Sequence, residues 1–217
     1  MNYLVLDIST SAQIGIEDSP YLSWACKKGA NTPEEAFAKA GLHAEYGMIC
    51  GMSAYWVSFF NDENGEQKYN VSHGFTCAAV EPIEEEIMLN KLTTEMDKRI
   101  TGIKIVGQNT KDFIIPFLAK RYLSLGLKIP SQIYDAIHSG TIDLMRELAC
   151  GGVSVMSLRS SAWLFGIDDP RSSMRVPRFY ELCLNKQTEE IKRFTQTNAQ
   201  VASEVFGNCV LGNLIHL

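Results

Sequence analysis

The sequence predicts an α/β fold built on a mixed sheet. Three observations lead there. Residues 3–8, YLVLDI, form a nearly continuous apolar run, as in a central strand covered on both faces. Residues 47–75 hold two more strand-like stretches around an Asn-Gly turn. From about residue 108 onward the chain reads as helices, so strands come first and helices dominate later.

The elements follow in order. The first strand delivers Asp7. Residues 12–46 read as an irregular insertion, inside which Thr32-Pro33-Glu34-Glu35 opens a helix running to about Ala40: a cap, a proline in the first turn, then acids. Residues 47–60, GMICGMSAYWVSFF, read as one or two strands. Asn61–Gly65 is a hairpin turn, and 67–75 is the returning strand. Glu81-Pro82 opens a helix whose acids, Glu84 to Glu86, suit its N-terminus, with Ile83, Ile87, Leu92 and Met96 as the expected core stripe. IKIV at 103–106 is the next buried strand, and a helix runs from the Gly107-Gln108-Asn109 turn to about Leu125. Helical segments then follow at 141–149, 154–165, 177–184 and 188–206.

Composition limits the function classes. At 217 residues with 46% hydrophobic and 21% charged residues, the chain suits one soluble domain spanning 1–217. No apolar run is long enough for a membrane span, and no signal peptide is recognisable, so a protein without membrane association is expected, cytoplasmic or, if viral, inside the host cell. The six cysteines, Cys26, Cys50, Cys77, Cys150, Cys183 and Cys209, lack CxxC spacing and read as reduced thiols. His43, His73, His138 and His216 lack zinc spacing. The net charge of −5 is split unevenly. Residues 1–97 carry five basic and fifteen acidic side chains, and residues 98–217 carry fifteen and ten. An acidic body with one basic surface is compatible with that split.

One stretch is specific. Gly107-Gln108-Asn109-Thr110-Lys111-Asp112-Phe113-Ile114-Ile115-Pro116-Phe117-Leu118-Ala119-Lys120-Arg121 falls without a gap on the pattern G-x-N-x-x-x-F-D-x-P-F-L-x-x-R. Together with the Asp7 strand, the Ile142-Asp143-Leu144-Met145 segment and the last helix, it resembles the DEDD-type 3′–5′ exonucleases of the ribonuclease-H-like fold. The branch it is most similar to is the exonucleases related to family B DNA polymerases. The resemblance covers roughly residues 1–10 and 40–210. It implies a ribonuclease-H-like mixed sheet flanked by helices, with a helical C-terminal half.

The resemblance also implies a site, and the sequence departs from it. Members of the family hold two Mg²⁺ or Mn²⁺ ions with four carboxylates. Here the first motif keeps Asp7 and has Ser9 for the second acid. The second motif has Ile114 for its Asp. The third has Phe194 for Tyr and Asn198 for Asp. One ligand position of four is retained. Each lost contact of unit charges near 4 Å is worth roughly 4 kcal/mol at an effective dielectric of 20. Three such losses outweigh what a two-metal site tolerates. Asp112 lies about 200° around a helix from Ile114, and Glu190 about 12 Å along the axis from Asn198, so neither replaces a lost acid. Asp112 reads as a helix cap, and Ile114 as an apolar surface in the old metal cleft.

The expectation is therefore a catalytically inactive exonuclease-like protein. It needs no cofactor and acts as a binding or scaffold subunit in a nucleic-acid-processing assembly. The alternative is a weakly active Mg²⁺- or Mn²⁺-dependent 3′–5′ exonuclease on single-stranded DNA or RNA. A protein partner is slightly favoured, through Tyr21, Trp24 and Phe37 of the insertion and the loop at 168–180. For single-stranded nucleic acid the candidates are Asn109, Lys111, Arg121 and Arg175, with Lys120, Arg171 and Arg178 adding charge and Phe113, Trp163 and Tyr180 as stacking rings.

Overall fold

The computed structural model describes residues 2–15, 32–98, 102–170 and 178–216. Strand β1 (Asn2–Ala12) is followed by helix α1 (Pro33–Ala40), then β2 (Gly47–Asn61) and β3 (Gln67–Ala78). Next come α2 (Pro82–Asp97), β4 (Ile103–Gly107), a π-helical turn (Thr110–Ile114), α3 (Ile115–Ser124) and α4 (Ser131–Ser139). The chain continues as β5 (Ile142–Asp143), α5 (Leu144–Glu147), α6 (Leu158–Leu164), α7 (Phe179–Leu184) and α8 (Thr188–Leu211).

The five strands form one sheet in the order β3-β2-β1-β4-β5. β1 runs antiparallel to β2 and parallel to β4. β3 continues the antiparallel side, and β5 the parallel side. This is the expected α/β architecture, a mixed sheet with helices on both faces. β1 is central because both its faces are apolar. Leu4, Leu6 and Ile8 enter one core with Leu89 and Leu92 of α2 and Leu118 of α3. Tyr3 and Val5 enter the other, against Val205 and Phe206 of α8. The strand period of two thus places Asp7 on the α8 face.

Several expected elements appear with altered details. Thr32 caps α1, its Oγ1 accepting the Glu35 N–H at 3.2 Å. β2 is one continuous strand, and Asp62 Oδ1 holds the hairpin by accepting the N–H groups of Asn64 and Glu66, each at 2.9 Å. In α2 the expected stripe is corrected. Ile83 and Ile87 face solvent, and the buried stripe is Glu85, Met88, Leu89, Leu92 and Met96. The stripe is disguised because its first member, Glu85, is an acid between two other acids, while the apolar Ile83 and Ile87 on either side of that run are exposed. The segment at 141–149 is a short strand plus one helical turn, since Ile142 and Asp143 pair with Val106 and Gly107. Helix α4 was not anticipated.

Helix α8 extends past Phe206 to Leu211 through Gly207. A Cβ there would meet the Tyr69 ring of β3 at 2.5 Å, so a glycine lets the helix lie flat on the sheet. No helix of the described residues is long and apolar enough to cross a membrane. Of the described cysteines, Cys50, Cys183 and Cys209 are buried, Cys77 is half-buried and Cys150 is exposed, all as free thiols.

Candidate functional site at the end of the central strand

The β1–β4 ladder ends at Val5–Val106, while β1 stays paired with β2 through Ala12. Beyond Gly107 the chain turns away, so the last half of β1 has one bare flank. A crevice therefore opens beyond the carboxyl ends of the parallel strands. Asp7 lies at its inner end, and α8 crosses above.

Asn198 of α8 donates from Nδ2 to Asp7 Oδ2 at 3.2 Å. Ser9, two residues along the same face, is 4% exposed, with its Oγ 2.7 Å from Thr195 Oγ1. Thr195 in turn lies 2.9 Å from the Ile191 carbonyl and donates to it. Its single hydroxyl hydrogen is thereby used, so Ser9 is the donor to Thr195. This close crossing needs a glycine opposite Ser9. A Cβ on Gly51 would collide with Thr195 Oγ1, and it would meet Ile191 Cγ2 at 2.8 Å. Phe194 is 9% exposed and packs edge-on against Phe179 of α7, centroids 5.5 Å apart.

Asp7, Ser9, Phe194 and Asn198 are thus brought together. Ile114 is not. It is buried in the opposite core with Leu6 and Ile8, so the expectation that it fills the cleft is corrected. The reason is the π-helical turn, which carries one residue more than an α turn. The side chain that reaches the cleft from this segment is its neighbour Phe113.

The donor set does not suit a pair of divalent cations. The Ser9 hydroxyl and the Asn198 amide both present hydrogens to protein acceptors, and Ile114 is apolar and turned away. Hard cations require several anionic oxygens. Among the described residues, no three His, Cys, Asp or Glu side chains converge on a common point.

The turn before Phe113 has its own anchor. Asn109 has a left-handed backbone with φ 59°. The buried Asp143 accepts the N–H groups of Asn109 and Lys111, each at 3.0 Å, and of Met145 at 3.1 Å. Asp143 therefore caps two segments at once, the π-helical turn and α5. Sequence reasoning placed this residue in a matched segment but missed its capping role. Its signal was an Asp directly before a helix start. Asp112, expected as the cap, is on the surface and accepts from Arg146 Nη2 at 2.7 Å on both oxygens. Lys111 remains exposed.

Arg121 is corrected outright as a nucleic-acid contact. It is 3% exposed and pairs with the buried Glu85. Trp163, one of the candidate stacking rings, is 83% exposed. Arg171, Arg175, Tyr21, Trp24 and Cys26 lie outside the described residues.

Beyond Asp7, along Ile8–Ala12 of β1, is a cavity of about 740 Å³. Ser9 and Asn198 contribute polar atoms to it, and Phe113, Phe179, Tyr180 and Phe194 contribute rings. Its charged residues include Glu35 and the exposed pair Arg178–Glu181, Nη1 to Oε1 at 3.0 Å. The size and apolar character suit a ligand or an inserted side chain.

No protein-family model matches the sequence, and no curated protein matches it. Among solved structures, the chain is similar to the family B DNA polymerase of Pyrobaculum calidifontis. The identity is 14% and the TM-score 0.48, over 97% of this chain and 24% of the polymerase. It is also similar to Escherichia coli exonuclease I in complex with a dT13 oligonucleotide. There the identity is 8% and the TM-score 0.44, over 96% of this chain and 40% of the exonuclease. The chain therefore spans well under half of either. Likenesses at this level carry no inference about reaction, substrate or partner.

Proposed function

We propose that this protein is a non-catalytic, exonuclease-like binding subunit, one domain over residues 1–217, that uses the cleft beyond Asp7 to hold a protein partner in a nucleic-acid-processing assembly. The observation that carries this reading is the Asn198 amide on Asp7. The carboxylate retained from the expected set is engaged by a neutral donor at 3.2 Å. The rings around the cavity favour an apolar side chain of a partner over a chain of phosphates.

The test is metal-dependent cleavage. Millimolar Mg²⁺ or Mn²⁺ leaves the melting temperature unchanged, and labelled single-stranded DNA and RNA keep their 3′ ends. Digestion that needs metal and disappears in Asp7→Ala establishes the competing reading, a weak 3′–5′ exonuclease. The retained carboxylate at the cleft is the one observation in favour of that reading.

A further inference from the structure

A second recess lies on the other side of α8, over the β3 edge of the sheet. It measures about 480 Å³, and every residue lining it is polar. Its wall is two adjacent ridges of α8, with Glu189, Arg193 and Thr197 on one and Lys192, Gln196 and Gln200 on the other, each at i, i+4 spacing. Its floor is Thr76 of β3.

The chemistry of this lining is that of an oxyanion site. Two cationic side chains face one space, opposed by a single lining carboxylate; the two carboxamides donate outside it, Gln196 Nε2 to the Tyr55 hydroxyl at 3.4 Å and Gln200 Nε2 to Glu204 Oε1 at 3.3 Å. The Arg193 guanidinium has no carboxylate partner among the described residues. Lys192 reaches Glu189 at 2.7 Å, but that carboxylate side chain is 84% exposed. An exposed i, i+3 pair of this kind contributes little and exchanges readily. The floor is hydrogen-bonded inward. Thr76 Oγ1 lies 2.9 Å from both Ser53 Oγ and His73 Nε2, so the recess is rigid beneath the charges.

We propose that this recess binds a phosphate oxyanion, with the forked Arg193 guanidinium as its main contact and Lys192 as a second charge. A planar fork of N–H donors is matched to phosphate oxygens in a way that an ammonium is not. The site is separate from the Asp7 cleft and does not depend on what that cleft holds. The phosphate could come free in solution or as part of a single-stranded nucleic acid, and the oxyanion chemistry is the same.

The experiment is titration of the full chain at low ionic strength with inorganic phosphate, and separately with a single-stranded dT oligonucleotide lacking terminal phosphates. Inorganic phosphate binds the wild type. Lys192→Gln/Arg193→Gln weakens it by about tenfold or more, the loss expected for charge-assisted contacts. Glu189→Gln tightens it, because it removes the opposing charge and releases Lys192. Lys98→Gln, an exposed lysine elsewhere on the surface, leaves it unchanged. A parallel loss of oligonucleotide affinity in the double variant assigns the phosphate to a nucleic acid, whereas loss for inorganic phosphate alone assigns it to a small phosphorylated solute. Absence of phosphate binding, or equal binding by the double variant at an unchanged melting temperature, overturns the proposal.

Discussion

The Arg121 guanidinium and the Glu85 carboxylate form a two-pronged ion pair in the core, Nε to Oε1 at 2.8 Å and Nη2 to Oε2 at 2.7 Å. The pair is saturated by its surroundings. Arg121 Nη1 also donates to the Ala44 carbonyl at 3.0 Å, and Glu85 Oε1 accepts the Ile49 N–H at 2.8 Å. It therefore ties α2 and α3 to the start of β2. Removing one partner strands a buried charge. Arg121→Met is expected to cost about 3–5 kcal/mol, measured by urea unfolding. Glu85→Leu/Arg121→Met costs less than the sum of the two single changes, because no charge is left unpaired.

Gly51 offers a separate stability test. A methyl group there must push α8 away from β1 at the Ser9–Thr195 contact. Gly51→Ala is expected to destabilise by about 1–3 kcal/mol, as overpacking does. Thr195→Ala in the same background recovers part of the loss, although the Ile191 contact remains. A melting temperature unchanged by Gly51→Ala contradicts the crossing described above.

The Asp143 cap gives a third. Three backbone N–H groups lose their acceptor in Asp143→Ala, and each buried unsatisfied donor costs about 1–3 kcal/mol. Asp143→Asn keeps one oxygen and is milder. Hydrogen exchange locates the effect. Protection falls first at the amides of Asn109, Lys111 and Met145, and the amides of α8 hold.

The strands and the layer order were legible in the sequence because they rest on apolar pattern. YLVLDI could only be a covered strand, and the Asn-Gly hairpin is local chemistry. Asp7, Ser9, Phe194 and Asn198 were legible through a family motif, and they do meet. Arg121 misled because an Arg at the end of a motif looks like a surface cation, and its counter-charge lies 36 residues away in a helix with no other sign of an acidic core. Ile114 misled because spacing was counted on an α-helix, whereas the segment takes a π-helical turn. The role of Asp143 was passed over since two of its three partners are backbone groups on another segment, beyond the local capping signal it carries. The Lys192–Arg193 recess was also hidden, because its floor residue, Thr76, comes from a distant strand.

Alkaline pH probes the core between α2 and α3. Burial holds the Tyr122 hydroxyl up to about 12, against an ordinary 10.0, and it donates to the Leu89 carbonyl at 2.8 Å. In the unfolded chain the phenol loses its proton first, so the folded state binds more protons within that interval. The stabilisation is complete below pH 10 and is lost as pH rises towards about 12. Two units correspond to about 2–3 kcal/mol. Burial likewise pushes the Cys209 thiol up to about 12, so the decline begins nearer pH 9. Urea unfolding from pH 8 to 12 shows this fall, and Tyr122→Phe removes its upper part.

The Asp7–Asn198 contact allows the charge state of the cleft to be tested by adding an acid. Asn198→Asp replaces a donated N–H at 3.2 Å by a second carboxylate. Two unit charges near 4 Å repel by roughly 4 kcal/mol at an effective dielectric of 20. Both groups are half-buried, which reduces the net loss to about 1–2 kcal/mol. One member of the pair takes up a proton more readily, so the variant is least stable at high pH and recovers towards pH 5. A divalent cation relieves the same repulsion. Millimolar Mn²⁺ is therefore expected to raise the melting temperature of Asn198→Asp and to leave the wild type unmoved. If the wild type rises as much as the variant, the native cleft already collects enough negative charge to hold a metal, and the non-catalytic reading fails.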